Sequence, residues 1–172
     1  MRLRATLTGL LLLTSLPAAA QEIILVRHAE KGTEADPGLT PDGQVRAQAL
    51  AALLKPTPPV MILTSPARRT QETAAPVAAQ AGVTPEVVPI PPGDMPPHIR
   101  MTAEKLAALK PGQVALVVGH SNTVPAIIKA VGGPAVPDLP ECAFGRLYRW
   151  DVAEKTLRIE RYGAESNCPL AE

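Results

Sequence analysis

The sequence predicts an α/β fold in which helices cover both faces of a mostly parallel central sheet and a β-hairpin closes the chain. Three observations carry that prediction. The apolar runs at 23–26, 60–63 and 114–118 lack the polar alternation of a half-exposed strand, as strands covered on both faces do. Each is followed by a stretch of helical character that opens on a hydroxyl residue with a proline one or two positions on: Thr40-Pro41, Ser65-Pro66 and Thr123-Val124-Pro125. The last two strand-like runs, 144–151 and 157–162, are separated only by the short polar stretch 152–156, which reads as a hairpin loop.

In chain order, the first strand is 23–26. The first helix runs from Pro41 to about Leu54, with Val45, Ala49, Leu50, Leu53 and Leu54 as its core-facing stripe. The second strand is 60–63, and the second helix opens at Ser65-Pro66 and stops at Gly82 after Ala81. Residues 87–90 form a weaker strand whose Pro89 suits a sheet edge. A loop over 91–97 leads to a helix over 99–109, then to the strongest strand, 114–118. The fourth helix begins at Thr123 and ends at Gly132-Gly133, and a proline-rich connection at 134–140 reaches the hairpin. Strands alternating with helices in this way define parallel βαβ units. No repeat or linker divides residues 21–172, which are expected to form one domain.

Residues 1–20 read differently, as a cleaved signal peptide. Arg2 and Arg4 make a positive start, 7–16 an apolar run, and Pro17-Ala18-Ala19-Ala20 a small-residue exit before Gln21. The alternative is an uncleaved anchor or a first buried helix, but the apolar run is about half of the ~20 residues a spanning helix needs. The expectation is an exported protein, periplasmic or secreted, with no membrane attachment after cleavage. Gln21, not a cysteine, stands directly after the cleavage site, which excludes lipid attachment there. The whole chain has 17 Lys+Arg against 16 Asp+Glu, and losing Arg2 and Arg4 moves the excess to the acidic side. Near-neutrality excludes a nucleic-acid footprint, and one Trp, two Tyr and one Phe cannot build a base-stacking platform. Export would allow a disulfide, and Cys142 and Cys168 flank the hairpin nearly symmetrically, so a Cys142–Cys168 bridge pinning the tail to the sheet is expected. Neither cysteine sits in a CxxC or beside a histidine, which leaves a redox or zinc role without support.

Three polar clusters occupy equivalent places in this layout. Arg27-His28-Ala29-Glu30 follows the first strand, Ser65 to Thr73 with Arg68 and Arg69 follows the second, and Gly119-His120-Ser121-Asn122 follows the fourth. Ligands of open α/β sheets bind beyond the carboxyl ends of the strands, so two histidines and two or three arginines are expected to meet at one rim. Arginine pairs bidentately with phosphate oxygens, and helix N-termini at the rim add N–H donors. A free imidazole can attack phosphorus, and a second can stabilise the charge that develops on the transferring group. A metal centre is the rival, but there is no HxH or HExxH spacing and Arg27 beside His28 would repel a cation. His98 stands apart from these clusters and reads as a structural hydrogen-bonder. Arg68 and Arg69 lie about 100° apart on a helix, so one of them faces solvent.

These clusters resemble the histidine phosphatase superfamily, the phosphoglycerate mutase-like enzymes with an RHG signature. The signature here is Leu25-Val26-Arg27-His28-Ala29-Glu30, with alanine in place of glycine. Leu39-Thr40-Pro41-Asp42-Gly43 is similar to the family's LTxxG helix start, and the segment Leu63-Thr64-Ser65-Pro66-Ala67-Arg68-Arg69-Thr70-Gln71-Glu72-Thr73-Ala74 to its second-arginine segment. Val118-Gly119-His120-Ser121-Asn122-Thr123 matches the second-histidine motif. The resemblance spans about 23–162 and implies a three-layer α/β/α, phosphoglycerate mutase-like fold. It implies His28 as a nucleophile that forms a phosphohistidine, with Arg27, Arg69 and His120 lining the phosphate pocket and neither metal nor cofactor required. It also implies a carboxyl proton donor between the third strand and the next helix, where Asp94 fits best and Glu86 is the other candidate.

Departures from the pattern narrow the activity. The hydroxyl residue and asparagine that follow the signature in the mutase branch are here Lys31 and Glu34, and a carboxylate does not favour a doubly anionic sugar acid. A domain this small also lacks room for the lid of large secreted acid phosphatases. The expected function is an exported phosphatase acting on a small phosphorylated substrate or a phosphoprotein. The alternatives are a phosphate-binding module without turnover and a phosphoglycerate mutase-type phosphotransferase.

Overall fold

Packing of apolar strands between two helical layers organises the chain, and the computed structural model describes residues 21–165 of it. The expected signal segment 1–20 and Cys168, one end of the expected disulfide, lie outside the described residues. The strands are β1 (Glu22–Arg27), β2 (Met61–Thr64), β3 (Glu86–Val87), β4 (Val114–Gly119), β5 (Arg146–Asp151) and β6 (Thr156–Arg161). They form one sheet in the order β3-β2-β4-β1-β5-β6. The first four run parallel, with Leu25 opposite Val117 and Leu63 also opposite Val117 on its other side. β5 lies antiparallel against β1, and β6 antiparallel against β5.

Every residue of β1 and β4 is buried, which is why their sequences show no alternation. Their side chains nevertheless divide between two cores. Ile23, Leu25, Ala115 and Val117 pack with α3 (Met95–Leu106) and α4 (Thr123–Ala130). Ile24, Val26, Leu116 and Val118 pack with α1 (Pro41–Leu54) and α2 (Arg68–Ala81). The result is the expected three layers, a mostly parallel sheet between two pairs of helices.

The helices show where sequence periodicity was insufficient. Thr40 caps α1 as expected, its Oγ1 accepting from the Gly43 N–H at 3.2 Å. The stripe, however, is rotated from the expected one. Gly43, Arg46, Ala47, Leu50, Ala51 and Leu54 are buried, whereas Val45 is 65% and Leu53 38% exposed. α1 carries apolar residues around most of its circumference, so its pattern does not select a face. The face is chosen by close approach: a Cβ at position 43 would overlap the Glu30 carbonyl. α2 begins at Arg68 and not at Ser65-Pro66, because the Ser65 hydroxyl is spent in the turn, where it accepts from the Ala67 N–H at 3.2 Å. It ends at Gly82, whose φ of +66° is the left-handed closure glycine permits.

Two further boundaries move. The expected strand at 87–90 is only Glu86–Val87, prolonged by one bond from the Val88 N–H to the Thr64 carbonyl at 2.8 Å; Pro89 has no N–H with which to continue. α3 starts at Met95 and not at 99, since Pro96 and Pro97 occupy a first turn whose N–H groups have no helical partner anyway. The closing hairpin forms as expected, its turn held by Asp151 Oδ1, which accepts from the Ala153 and Glu154 N–H groups.

Candidate active site

The carboxyl ends of β2, β4 and β1 are neighbours, so the three polar clusters meet at one rim. Thr64 pairs with Val118 and Arg27 with Gly119, and the His28 N–H extends the ladder to the Gly119 carbonyl at 3.0 Å. The rim encloses an open cleft of about 460 Å³ lined by Arg27, His28, Lys31, Arg69, His120 and Glu141, among others.

His28 is buried, and its Nδ1 lies 2.8 Å from the Ala29 carbonyl. A carbonyl only accepts, so Nδ1 carries the proton and the lone pair sits on Nε2. Burial is the main cause that lowers the His28 pKa to about 4; the Arg27, Arg69 and Lys31 charges add to it against the opposing Ala29 bond. The turn that presents this ring is fixed from α2: Thr73 Oγ1 accepts from the Ala29 N–H at 2.9 Å and donates to the Arg69 carbonyl at 2.7 Å.

His120 lies edge-on to His28, with ring centroids 5.5 Å apart. Arg69 Nη2 donates to its Nδ1 at 3.4 Å, which leaves the proton on Nε2 to be donated to Ser65 Oγ at 2.9 Å. Burial foremost, then Arg69 and His28, lowers its pKa to about 3. Its backbone is set by Thr123, whose Oγ1 accepts from the His120 N–H at 2.8 Å. Gly119 makes room for that hydroxyl, since a Cβ there would meet it at 2.7 Å.

Arg27 is 2% exposed. Nη1 donates to the carbonyls of Pro140 and Glu141, both at 2.9 Å, and Nη2 to Glu141 Oε2 at 2.8 Å. The guanidinium also stacks 4.5 Å from the Phe144 ring centroid. Of the adjacent pair, Arg69 enters the cleft, with Asp36 3.7 Å away, while Arg68 lies outside it and pairs with Glu72 at 2.6 Å. Nε of both Arg27 and Arg69 is buried without a partner, so each guanidinium keeps donor capacity for an anion.

His28, Arg27, Arg69 and His120 are thus brought together. The two candidate proton donors are not. Asp94 stands exposed at the start of α3 and does not line the cleft, although Met95 beside it does. Glu86 lies on the edge strand, paired with Lys105 Nζ at 2.5 Å. Lys31 lines the cleft and Glu34 does not. His98 is buried and donates from Nδ1 to the Pro89 carbonyl at 3.2 Å, a structural bond between α3 and the loop after β3. Among the described residues no three His, Cys, Asp or Glu side chains are grouped to hold a metal ion. Sequence reading missed Glu141 and Phe144. They stand more than a hundred positions from Arg27 in an irregular stretch after α4, with no local motif to mark them.

The mostly parallel six-stranded sheet between two helical layers is a phosphoglycerate mutase-like α/β fold. The family model described as the histidine phosphatase superfamily, branch 1, matches residues 23–90 of the chain. That match contains the Arg27-His28 turn and the Arg69 segment, and the fold adds His120. No curated protein sequence matches the chain closely. Among solved structures, mycobacterial glucosyl-3-phosphoglycerate phosphatase with inorganic phosphate is similar at a TM-score of 0.63 and 17% identity, over 84% of this chain and 98% of that one. SixA from Agrobacterium tumefaciens has a TM-score of 0.57 and 21% identity, over 84% and 99% of the two chains. The protein histidine phosphatase SixA complexed with tungstate has a TM-score of 0.59 and 17% identity, over 82% and 95%.

Proposed function

We propose that the protein is a phosphatase that hydrolyses phosphomonoesters through a phosphohistidine on His28, without a metal ion. The observation that carries this reading is the His28–Ala29 hydrogen bond, which leaves Nε2 as an unprotonated nucleophile in a cleft walled by Arg27 and Arg69. In the first step Nε2 forms a bond to phosphorus while the ester P–O bond breaks, its electron pair leaving with the alcohol oxygen. In the second, water attacks phosphorus, the N–P bond breaks, and the pair returns to Nε2 as inorganic phosphate departs. Arg27 and Arg69 balance the charge on the equatorial oxygens throughout. A phosphoryl dianion also favours the imidazolium of His120, whose Nδ1–H then joins them. That the similar structures hold phosphate or tungstate agrees with an oxyanion in this cleft. Lys31 and Glu34 favour hydrolysis over mutase chemistry, and the segment 1–20 supports export to the periplasm or beyond.

Trapping tests the mechanism. The protein is incubated with labelled phosphomonoesters, quenched, and digested, with and without chelator. The expected result is acid-labile phosphate on the peptide carrying His28 in both conditions. Label elsewhere, or orthophosphate binding with neither label nor turnover across the substrate panel, would overturn it.

The acid limb of activity follows from the same residue. A pKa lowered to about 4 keeps His28 a free base at any higher pH, so kcat/KM for an aryl phosphate, expressed per substrate dianion, should not fall with acidification until the pH approaches 4. A loss with a midpoint near 6.5, the ordinary value for histidine, contradicts the assignment.

A further inference from the structure

Protonation of the leaving alcohol is the step that the family-predicted positions leave unserved, because Asp94 and Glu86 both lie away from the cleft. Among the described residues one carboxylate does line it. Glu141 has an 87% exposed side chain at the mouth, yet its Oε2 sits 2.8 Å from Nη2 of a nearly fully buried Arg27. Its own carbonyl and that of Pro140 occupy Arg27 Nη1, so the stretch that carries Glu141 is moored to the guanidinium that faces the phosphoryl group.

We propose that Glu141 is the general acid and base of this site, a role that rests on the phosphohistidine reading above. In the free protein the Arg27 guanidinium holds the Glu141 carboxyl below the usual carboxylate range, and Lys31 and His28 are the other charged or titratable groups that face it. A phosphoryl dianion that takes over Arg27 Nη2 removes this partner and sets a like charge beside the carboxylate. Both changes favour proton uptake from solvent. The acid thereby becomes protonated as substrate is seated. As the ester P–O bond breaks, the Glu141 proton passes to the leaving oxygen, which departs as neutral alcohol. The resulting carboxylate then takes a proton from the water that attacks the phosphohistidine, the N–P pair returns to His28 Nε2, and Glu141 is again protonated when phosphate leaves.

The test uses a leaving-group series with Glu141→Gln, whose amide oxygen can still accept from Arg27 Nη2, and Glu141→Ala in the full-length protein, with the folding of each variant checked by urea unfolding. For an alkyl phosphate such as glycerol phosphate, whose alcohol must be protonated, kcat/KM is expected to fall about 10²–10⁴-fold. For p-nitrophenyl phosphate, whose phenolate leaves unaided, label should still reach His28 at a rate within a few-fold of wild type, and the labelled protein should decay slowly. An equal loss on both substrates would overturn the proposal, since it would mean that Glu141 only positions Arg27. Faster turnover of both substrates with tighter vanadate binding would also overturn it, the carboxylate then being merely a competitor for Arg27. If wild-type protein shows no label on His28, the phosphohistidine reading fails and this one with it. If wild type is labelled but the leaving-group dependence is unchanged in the variants, only the role of Glu141 fails.

Discussion

His28→Ala is expected to lower kcat/KM for p-nitrophenyl phosphate by about 10⁴-fold or more, with no phosphoenzyme detectable, since it removes the atom that bonds to phosphorus. Binding should survive. Arg27 is held by two backbone carbonyls, a carboxylate and the Phe144 ring, and Arg69 by Asp36 and His120, and none of these contacts passes through the His28 imidazole. Inorganic phosphate affinity measured by calorimetry is therefore expected to stay within about an order of magnitude of wild type, as each charge-assisted contact to an oxyanion is retained. The two readouts separate nucleophile from binding residue: activity within tenfold of wild type would remove His28 from the nucleophilic role.

Arg46, which belongs to none of the motifs, ties distant parts of the fold together. Arg46→Ala is expected to cost about 2–3 kcal/mol, read from the midpoint of urea unfolding, because it takes a buried guanidinium out of a half-buried ion pair and leaves the Tyr162 and Ala164 carbonyls without their donor. Arg46 Nε lies 2.9 Å from both oxygens of Glu30 and Nη2 lies 2.7 Å from Oε1, while Nη1 donates to the carbonyls of Tyr162 and Ala164 at 2.8 and 3.1 Å. The guanidinium thus joins the turn after β1 to the end of β6, across opposite ends of the chain. Burial alone would raise the Glu30 pKa, but the Arg46 hydrogen bond and charge outweigh it and the net shift is downward. A carboxyl whose folded pKa lies below its unfolded one contributes stability that is present above the ordinary value of 4.5 and is lost as the pH falls through the folded pKa. Wild type should therefore lose stability on acidification below that value, and the gap to the Arg46→Ala variant should narrow. A cost below about 1 kcal/mol would show that Arg46 is dispensable.

Much of the architecture was legible because it rests on local rules. Both central strands appear as unbroken apolar runs because neighbours cover both faces. Thr40-Pro41 marks a helix start because a hydroxyl cap and a fixed φ act within four residues. The stripe of α1 was not legible: Val45 and Leu53 suit a core as well as Leu50 does, and only packing against Glu30 and α2 chose between them. The start of α2 was misread for a related reason, since Ser65 is a good cap whose hydroxyl is committed to His120 and the turn.

The site divides along the same line. Sequence alone placed Arg27, His28, His120 and the Arg68-Arg69 pair in strand-end clusters, because each stands a residue or a few beyond an apolar strand and parallel pairing brings such ends to one rim, and the family resemblance chose Arg69 from the pair. Tertiary structure alone decided which nitrogen of each imidazole carries a proton, and which carboxylate reaches the cleft. The first depends on the acceptors Ala29 O and Ser65 Oγ that folding places beside the rings. The second depends on Arg27, a buried cation that recruits Glu141 from 114 residues away, whereas Asp94, in the expected loop, has no such charge to draw it in. Strand ends are set by interactions within a few residues, but a buried charge takes its partner from wherever the fold brings one within reach.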